Sequence, residues 1–295
     1  MGRSYKGKMK PKKQLDISNM EPLVTIVTPS FNQGEFLKTT IESVITQSYK
    51  RIEYMIFDGG SSDNSINIIK KYEKHLTYWE SCPDKGQAHA INKGWKRANG
   101  QIFAWLNSDD ALMPNAVENI VHEFLSNPDV GMVYGDWSFV DENNTVLIRR
   151  KGNPTSYRKL LWGGQIKYLA QPASFFKAEC VKKINYLNEA LQLAMDYDLI
   201  LKISKTEKTI YVAKELALFR LHSSAKTAVQ AKKHWKETLS VQAGHNKLLL
   251  AWSLVRYVLF RMLNSLPISY QMVFRRLRKS ENDFPRFHAV IKNQD

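Results

Sequence analysis

Cysteine is scarce in this chain. Cys82 and Cys180 are the two among 295 residues, far apart and without a CxxC pair or a His-rich neighbourhood. That gives a disulfide framework or a structural zinc site little support and fits a reducing cytosol. Glycine (14) and proline (10) are too few and too scattered for a low-complexity chain, so most of it is expected to be globular, with disorder at the ends. The basic start is not followed by an apolar run, so a signal peptide is not expected.

Negative charge is also short. Asp and Glu number 28 against 43 Lys and Arg, a net charge of +15. Much of the excess lies in two blocks: Arg3, Lys6, Lys8, Lys10, Lys12 and Lys13 at the start, and Arg256, Arg261, Arg275, Arg276, Arg278 and Lys279 at the end. Both ends suit anionic lipid or nucleic acid. No recognised nucleic-acid motif accompanies them, so nucleic acid is not the expected partner. The length suffices for one large α/β domain plus an appendage. The divisions read as a basic flexible segment over 1–21, a main domain over 22–230 and a basic amphipathic helical region over 231–295.

After Pro22 short apolar runs alternate with amphipathic segments, the order of βαβ units around a mainly parallel sheet. Strands are predicted at Leu23 to Thr28, Tyr54 to Phe57, Leu76 to Glu80 and Ile102 to Leu106. Helices are predicted at Gly34 to Gln47, Ser65 to Lys74 and Gly86 to Lys96. Beyond Pro114 follow a helix to Phe124, a strand around Val130 to Tyr134 and a hairpin turning at Asp141 to Asn144. Later come a strand at Ala173 to Phe176, helices near Glu179 to Ile184 and Asp196 to Ile203, and strands at Ile210 to Val212 and Ala217 to Leu221. The polar runs after the first, second and fourth strands share the carboxyl edge of the sheet, where ligands gather in open α/β folds. From Leu248 to Leu266 apolar residues dominate, but Arg256 and Arg261 interrupt a run that barely reaches the ~20 residues of a spanning helix. An in-plane helix at a lipid surface is preferred to a spanning one, with packing on the chain's own core or on a partner as the alternative.

Two adjacent carboxylates, Asp109 and Asp110, end the fourth strand. Like charges so placed oppose each other unless a cation sits between them, and Mg²⁺ or Mn²⁺ bound by carboxylate and phosphate oxygens is the natural candidate. An acidic cap on a following helix is the alternative for an isolated pair. The surrounding motifs decide. Thr28-Pro29-Ser30-Phe31-Asn32, Asp58-Gly59-Gly60-Ser61-Ser62-Asp63-Asn64-Ser65, Asp84-Lys85-Gly86, Ala90-Ile91-Asn92-Lys93-Gly94 and Asn107-Ser108-Asp109-Asp110 stand in the order seen in family 2 glycosyltransferases. The resemblance runs from about Leu23 to Thr227. It implies an α/β GT-A fold with a mainly parallel central sheet, here with a C-terminal helical extension. It also implies a nucleotide-diphosphate sugar donor, a Mn²⁺ or Mg²⁺ ion, and inversion at the anomeric carbon.

Carried over to this chain, the resemblance makes Pro29 and Phe31 the wall for the nucleobase and ribose. Asp58 becomes the carboxylate that accepts from the base, which favours uracil. Asp84 and Asn92 border the nucleotide, Asp109 lies near the ribose or metal, and Asp110 is the direct metal ligand. His222, in Phe219-Arg220-Leu221-His222, binds the metal or the diphosphate, and Lys226 or Arg220 neutralises the leaving group. Inversion needs a group that removes the acceptor's proton. Ala194-Met195-Asp196-Tyr197-Asp198-Leu199 resembles the family's acidic motif, with Asp196 in the base position, although Met195 stands where many relatives carry Glu. Asp198 is the rival, and a plain preference of both for a helix N-terminus is the alternative.

Trp162-Gly163-Gly164 and Gln171-Pro172-Ala173 are expected on the acceptor side. The acceptor expected from the basic, apolar end is a lipid-linked glycan or surface polysaccharide precursor, at the inner face of a membrane that the C-terminal helix touches peripherally. A nucleotidyltransferase would share the sheet and the metal, but its first strand normally leads into a Gly-rich, basic phosphate loop, and this chain has Pro29-Ser30-Phe31-Asn32-Gln33. A basic module that binds nucleic acid or membrane without catalysis is the non-enzyme alternative.

Overall fold

The computed structural model describes residues 21–246, apart from 166, 224–225 and 227–229. The in-plane helix expected at Leu248 to Leu266 and the basic segment before residue 21 lie outside the described residues.

The first half is a regular βαβ succession. β1 (Val24–Ser30), β2 (Ile52–Asp58), β3 (Tyr78–Ser81) and β4 (Ile102–Trp105) pair in parallel in the order β3-β2-β1-β4. β1 is buried along its whole length, because helices cover both faces of a parallel sheet. α1 (Gly34–Ile45) buries Phe36, Leu37, Ile41 and Val44, the helical spacing read from the sequence. α2 (Ser65–Tyr72) continues as a 3₁₀ turn to His75. α3 (Gln87–Arg97) lays Ala88, Ala90, Ile91, Gly94 and Trp95 against the sheet. There Trp95 stacks on Phe103 and meets Trp105 edge-on.

The second half is mixed. β5 (Ala111–Leu112), α4 (Ala116–Ser126), β6 (Val130–Val140) and β7 (Val146–Arg150) precede α5 (Tyr157–Gly163), β8 (Ser174–Lys177), α6 (Ala178–Lys183), α7 (Met195–Thr206), β9 (Lys208–Arg220) and α8 (Ala231–His245). The sheet continues β4-β8-β6-β9-β5, with β7 also on β6. β8 runs antiparallel to β4 and β6, and β9 runs parallel to β6. β9 therefore points the same way as β1 and β4, and its end arrives at the same sheet edge.

Two expectations about the strands change. The strand expected at Val130 to Tyr134 runs on to Val140. The two strands expected between Ile210 and Leu221 are one strand, which crosses exposed Ala213 and Lys214 by register shifts against β6. β5 and α5 had no periodic signature, being two and seven residues long. Beyond the boundary expected at 230, Val241 of α8 is buried in the same core as Trp95 and Phe176. Among the described residues no helix is long and apolar enough to cross a membrane.

Candidate active site

The loop after β1 is tied to the loop after β2. Asn32, at φ 51°, donates its N–H to Ser61 Oγ at 2.7 Å and accepts from the Ser62 N–H at 2.9 Å, while Gly34 N–H reaches Asp63 Oδ2 at 2.8 Å. Asn tolerates this left-handed backbone better than most residues. The result is a fixed backbone that leaves the Phe31 ring 60 % exposed. Pro29, by contrast, is a buried residue of β1 opposite Phe57; it belongs to the floor, and Phe31 alone of the expected wall projects.

Asp58 is buried and its carboxylate is occupied. It accepts from Gly60 N–H at 3.1 Å, Ser61 N–H at 2.8 Å, Ser61 Oγ at 2.5 Å and Ser81 Oγ at 2.6 Å. That is the work of an Asx turn between two strands. Asp84 is differently placed. Oδ1 accepts from Gly86 N–H at 2.6 Å, while Oδ2 has no hydrogen-bond partner among the described residues. A Cβ on Gly59 would lie 3.1 Å from Asp84 Oδ2 and 3.3 Å from Phe31 Cδ2. The exposed ring and the free carboxylate oxygen thus flank one point, open because residue 59 has no side chain.

Asn92 is likewise engaged within the fold. Its Nδ2 donates to Leu187 O at 3.0 Å and Glu189 Oε1 at 2.8 Å, and its Oδ1 accepts from Leu187 N–H at 3.0 Å. It holds the 187–189 loop and lines a separate cavity of about 340 Å³ beside Lys96 and Lys202.

The acidic pair divides. Asp110 is 2 % exposed. Its Oδ1 accepts from Arg220 N–H at 3.0 Å and its Oδ2 from Asn107 Nδ2 at 3.1 Å, and its own carbonyl accepts from Thr40 Oγ1 at 2.6 Å. Burial, helped by the charge of Asp109, holds its carboxyl well above the usual carboxylate range. Both of its carboxylate oxygens are thus engaged within the fold. Asp109 is half-buried, and its Oδ2 lies 3.0 Å from His222 Nε2. The end of β9 therefore brings the histidine to the first aspartate of the pair, not the second. His222 is in turn packed against the Phe36 ring.

Asn107, in the motif but given no role from sequence, joins the parts: its Oδ1 accepts from Gln87 Nε2 at 2.7 Å, and its Nδ2 also donates to Gln171 Oε1 at 3.2 Å. Gln171 in turn donates to Trp105 O at 2.8 Å, a supporting role that differs from the acceptor contact expected of it. Arg220 is fully employed within the fold. It donates to the carbonyls of Asp109, Asp141 and Glu142 and to Asn144 Oδ1, and it lies over the Phe36 ring. Lys226 is the other cation expected at the leaving group. Its residue is exposed, but its ammonium donates to Gln87 Oε1 at 3.3 Å and loses hydration among protein atoms, which lowers its pKa against the pull of Asp84 and Asp109.

Asp196 opens α7. Its Oδ2 accepts from Gln165 Nε2 at 2.8 Å and its Oδ1 from Tyr197 N–H at 2.8 Å. Desolvation raises its pKa, against the Gln165 hydrogen bond and the charge of His234. Asp198 is buried and paired with Lys202 at 2.6 Å, a structural ion pair. Gln165 was missed from the sequence although it follows the Trp162-Gly163-Gly164 segment; Trp162 itself is 49 % exposed. A side chain of Gln192, two residues before the helix cap, sits against Gly86, which links the Asp196 segment to the turn that holds Asp84.

The sequence model described as glycosyl transferase family 2 matches residues 25–184. An uncharacterised glycosyltransferase of Mycobacterium tuberculosis is 36 % identical over 184 residues, covering 61 % of this chain and 68 % of that protein. The hyaluronan synthase of Pasteurella multocida is 29 % identical over 223 residues, covering 74 % of this chain and 23 % of that one. Among solved structures, S. aureus TarS in complex with UDP-GlcNAc aligns with a TM-score of 0.61 over 84 % of this chain and 77 % of its own, at 18 % identity. The mannosyltransferase PcManGT of Pyrobaculum calidifontis, in complex with GDP-Man and Mn²⁺, aligns with a TM-score of 0.59 over 92 % and 83 %, at 16 % identity. The fold is that of the GT-A transferases. The chain belongs to glycosyl transferase family 2 and is a glycosyltransferase.

Among the described residues no group of three or more His, Cys, Asp and Glu side chains could hold a metal by itself. Asp109 and His222 offer one oxygen and one nitrogen. That pair fits Mn²⁺ or Mg²⁺ if substrate phosphate oxygens complete the shell.

Proposed function

We propose that the chain transfers a sugar, with inversion, from a UDP-linked donor to a hydroxyl of a lipid-linked glycan or surface polysaccharide precursor, with Mn²⁺ or Mg²⁺ as cofactor. The observation that carries this reading is the meeting of Asp109 and His222 at 3.0 Å on the edge where Phe31, Asp84 and Lys226 also gather.

Phe31 stacks on the base and the free oxygen of Asp84 accepts its ring N–H. A divalent ion, held by Asp109 and His222, would neutralise charge on the diphosphate as it leaves. Lys226 faces the same diphosphate and exchanges its present contacts for phosphate oxygens. Asp196, ionised and oriented by Gln165, takes the proton of the acceptor hydroxyl as that oxygen attacks the anomeric carbon and the sugar–phosphate bond breaks. No covalent sugar–enzyme bond forms. Trp162, near Gln165 in sequence, offers an indole for the acceptor's sugar face. The basic ends hold the chain peripherally on the cytoplasmic face of a membrane.

The test is a thermal-shift screen of UDP-, GDP- and dTDP-sugars with and without Mn²⁺. A donor that binds only the folded state at a hundred times its Kd raises stability by about 2.7 kcal/mol. UDP-sugars are expected to shift the midpoint when Mn²⁺ is present; a shift with GDP-sugars alone overturns the UDP reading, and none with any donor overturns the whole.

A further inference from the structure

α7 starts without a side-chain cap. Its N-cap residue is Ala194, whose side chain has no acceptor to offer, and the amides just before the helix, 192–194, take an oxygen from elsewhere. α8 supplies it. Glu237 Oε2 accepts from the N–H groups of Gln192 at 3.0 Å, Leu193 at 2.7 Å and Ala194 at 3.1 Å. Three successive amides converging on one oxygen make the concave arrangement by which backbone binds anions. Their bonds to a carboxylate are charge-assisted and stronger than neutral ones.

The segment so held leads into the catalytic region from two sides. Asp196 follows Ala194 by two residues. The side chain of Gln192 packs on Gly86, where a Cβ would lie 2.8 Å from its Oε1, and Gly86 N–H is the group that fixes Asp84. His234 precedes Glu237 by three residues and so shares its face of the helix; its charge acts on Asp196. Further along α8, Val241 is buried in the core, and Gln242 Nε2 donates to Leu161 O at 2.9 Å and Tyr197 Oη at 3.1 Å. The helix that carries Glu237 is thus itself anchored to α5 and α7.

We propose that Glu237 is a positioning residue for sugar transfer. It clamps the 192–194 backbone from a helix outside the stretch matched by the family model, 25–184, and so aims Asp196 at the acceptor hydroxyl. The inference rests on Asp196 being the base.

The full-length chain with Glu237→Ala, Glu237→Gln, Asp196→Asn and the double change Glu237→Ala/Asp196→Asn provides the test. Two readouts are used: hydrogen exchange of the backbone over 190–198, and Mn²⁺-dependent UDP release from UDP-glucose, UDP-galactose and UDP-N-acetylglucosamine. Glu237→Ala is expected to speed exchange at 192–194 and to lower kcat by about 10- to 100-fold, the scale of a slight misplacement of a reacting group, with donor KM within about two-fold. Glu237→Gln keeps an acceptor oxygen and should fall between Glu237→Ala and the parent on both readouts. With Asp196→Asn in place, Glu237→Ala should cost less than about two-fold more, because the two residues act as a unit. Unchanged exchange at 192–194 overturns the clamp, and so does an equal loss with and without Asp196→Asn. Full activity of Asp196→Asn overturns the premise instead, and it does so with Glu237 intact, so the two failures are distinguishable.

Discussion

Asp109 and Asp110 are neighbours in the chain with opposite surroundings. The Asp110 side chain points inward, where Arg220 N–H and Asn107 occupy both oxygens, and Asp109 faces His222. Their replacement should separate scaffold from chemistry. Asp110→Ala leaves two donors unsatisfied and should cost about 1–3 kcal/mol of stability by denaturant unfolding, with or without ligand. Asp109→Asn should leave the unliganded midpoint nearly unchanged and abolish the Mn²⁺-dependent shift produced by a nucleotide sugar; a shift that survives would remove Asp109 from the metal site. That an acidic pair lay here was legible in the sequence. Which member faced outward was not, because it depends on the turn after Trp105 and on a strand that arrives over a hundred residues later. The same holds for Asp58, whose motif was recognisable while its saturation by Ser61 and Ser81 was not. Asp196 carries a pH prediction. A base works deprotonated, and desolvation raises this carboxyl's pKa against Gln165 and His234, so kcat should fall with decreasing pH at a value above the ~3.9 of an exposed aspartate. A pH–rate profile checks this, and a Gln165→Ala variant, lacking the hydrogen bond that favours the ionised form, should move the acid limb upward.

At the scale of elements, the first half was readable because each segment has one period throughout. α1 and α3 show helical spacing, and β1, β2 and β4 are short runs buried on both faces. The second half was less so. β9 passes Lys214 by a register shift that gives it no partner on β6, while Glu215 pairs with Asp136, and α5 is too short to express a period. α8 gave no sign that it bears Glu237, since contacts between distant helices leave no local pattern. The packing of α3 on β1 and β2 leaves no room for a side chain at Gly94. A Cβ at Gly94 would lie 2.6 and 2.8 Å from the methyls of Val27 and 2.9 Å from Phe57. Alanine favours the helix by about 1 kcal/mol over glycine, yet overpacking of this kind typically costs 1–3 kcal/mol or more. Gly94→Ala should therefore destabilise the chain, read as a lower urea midpoint at an unchanged m-value, and should carry Asp84 away from Phe31 with the shifted helix start, raising donor KM. A midpoint at or above the parent's would show that α3 has room the distances deny.

At the scale of the molecule, one topological fact assembles the site. The parallel course of β9 with β4, reached through two antiparallel steps at β8, returns His222 to the edge that holds the loops of β1, β2 and β4. The motif order in the sequence implied a shared edge for the early loops, and the family resemblance supplied His222. The remaining question at this scale is how a chain with net charge +15 meets its acceptor. On the peripheral attachment proposed above, each Lys or Arg near an anionic membrane would contribute roughly 1 kcal/mol, and the two terminal blocks would act together. Such attraction acts over a Debye length of about 10 Å at 0.1 M salt and about 3 Å at 1 M. The full-length chain should accordingly sediment with phosphatidylcholine vesicles that contain phosphatidylglycerol, should be released from them at 1 M salt, and should stay in solution with phosphatidylcholine alone. Replacing Arg256 and Arg261 by Gln ought to weaken retention if the C-terminal block contributes, whereas equal retention on neutral and anionic vesicles would mean that apolar insertion, not charge, holds the chain there.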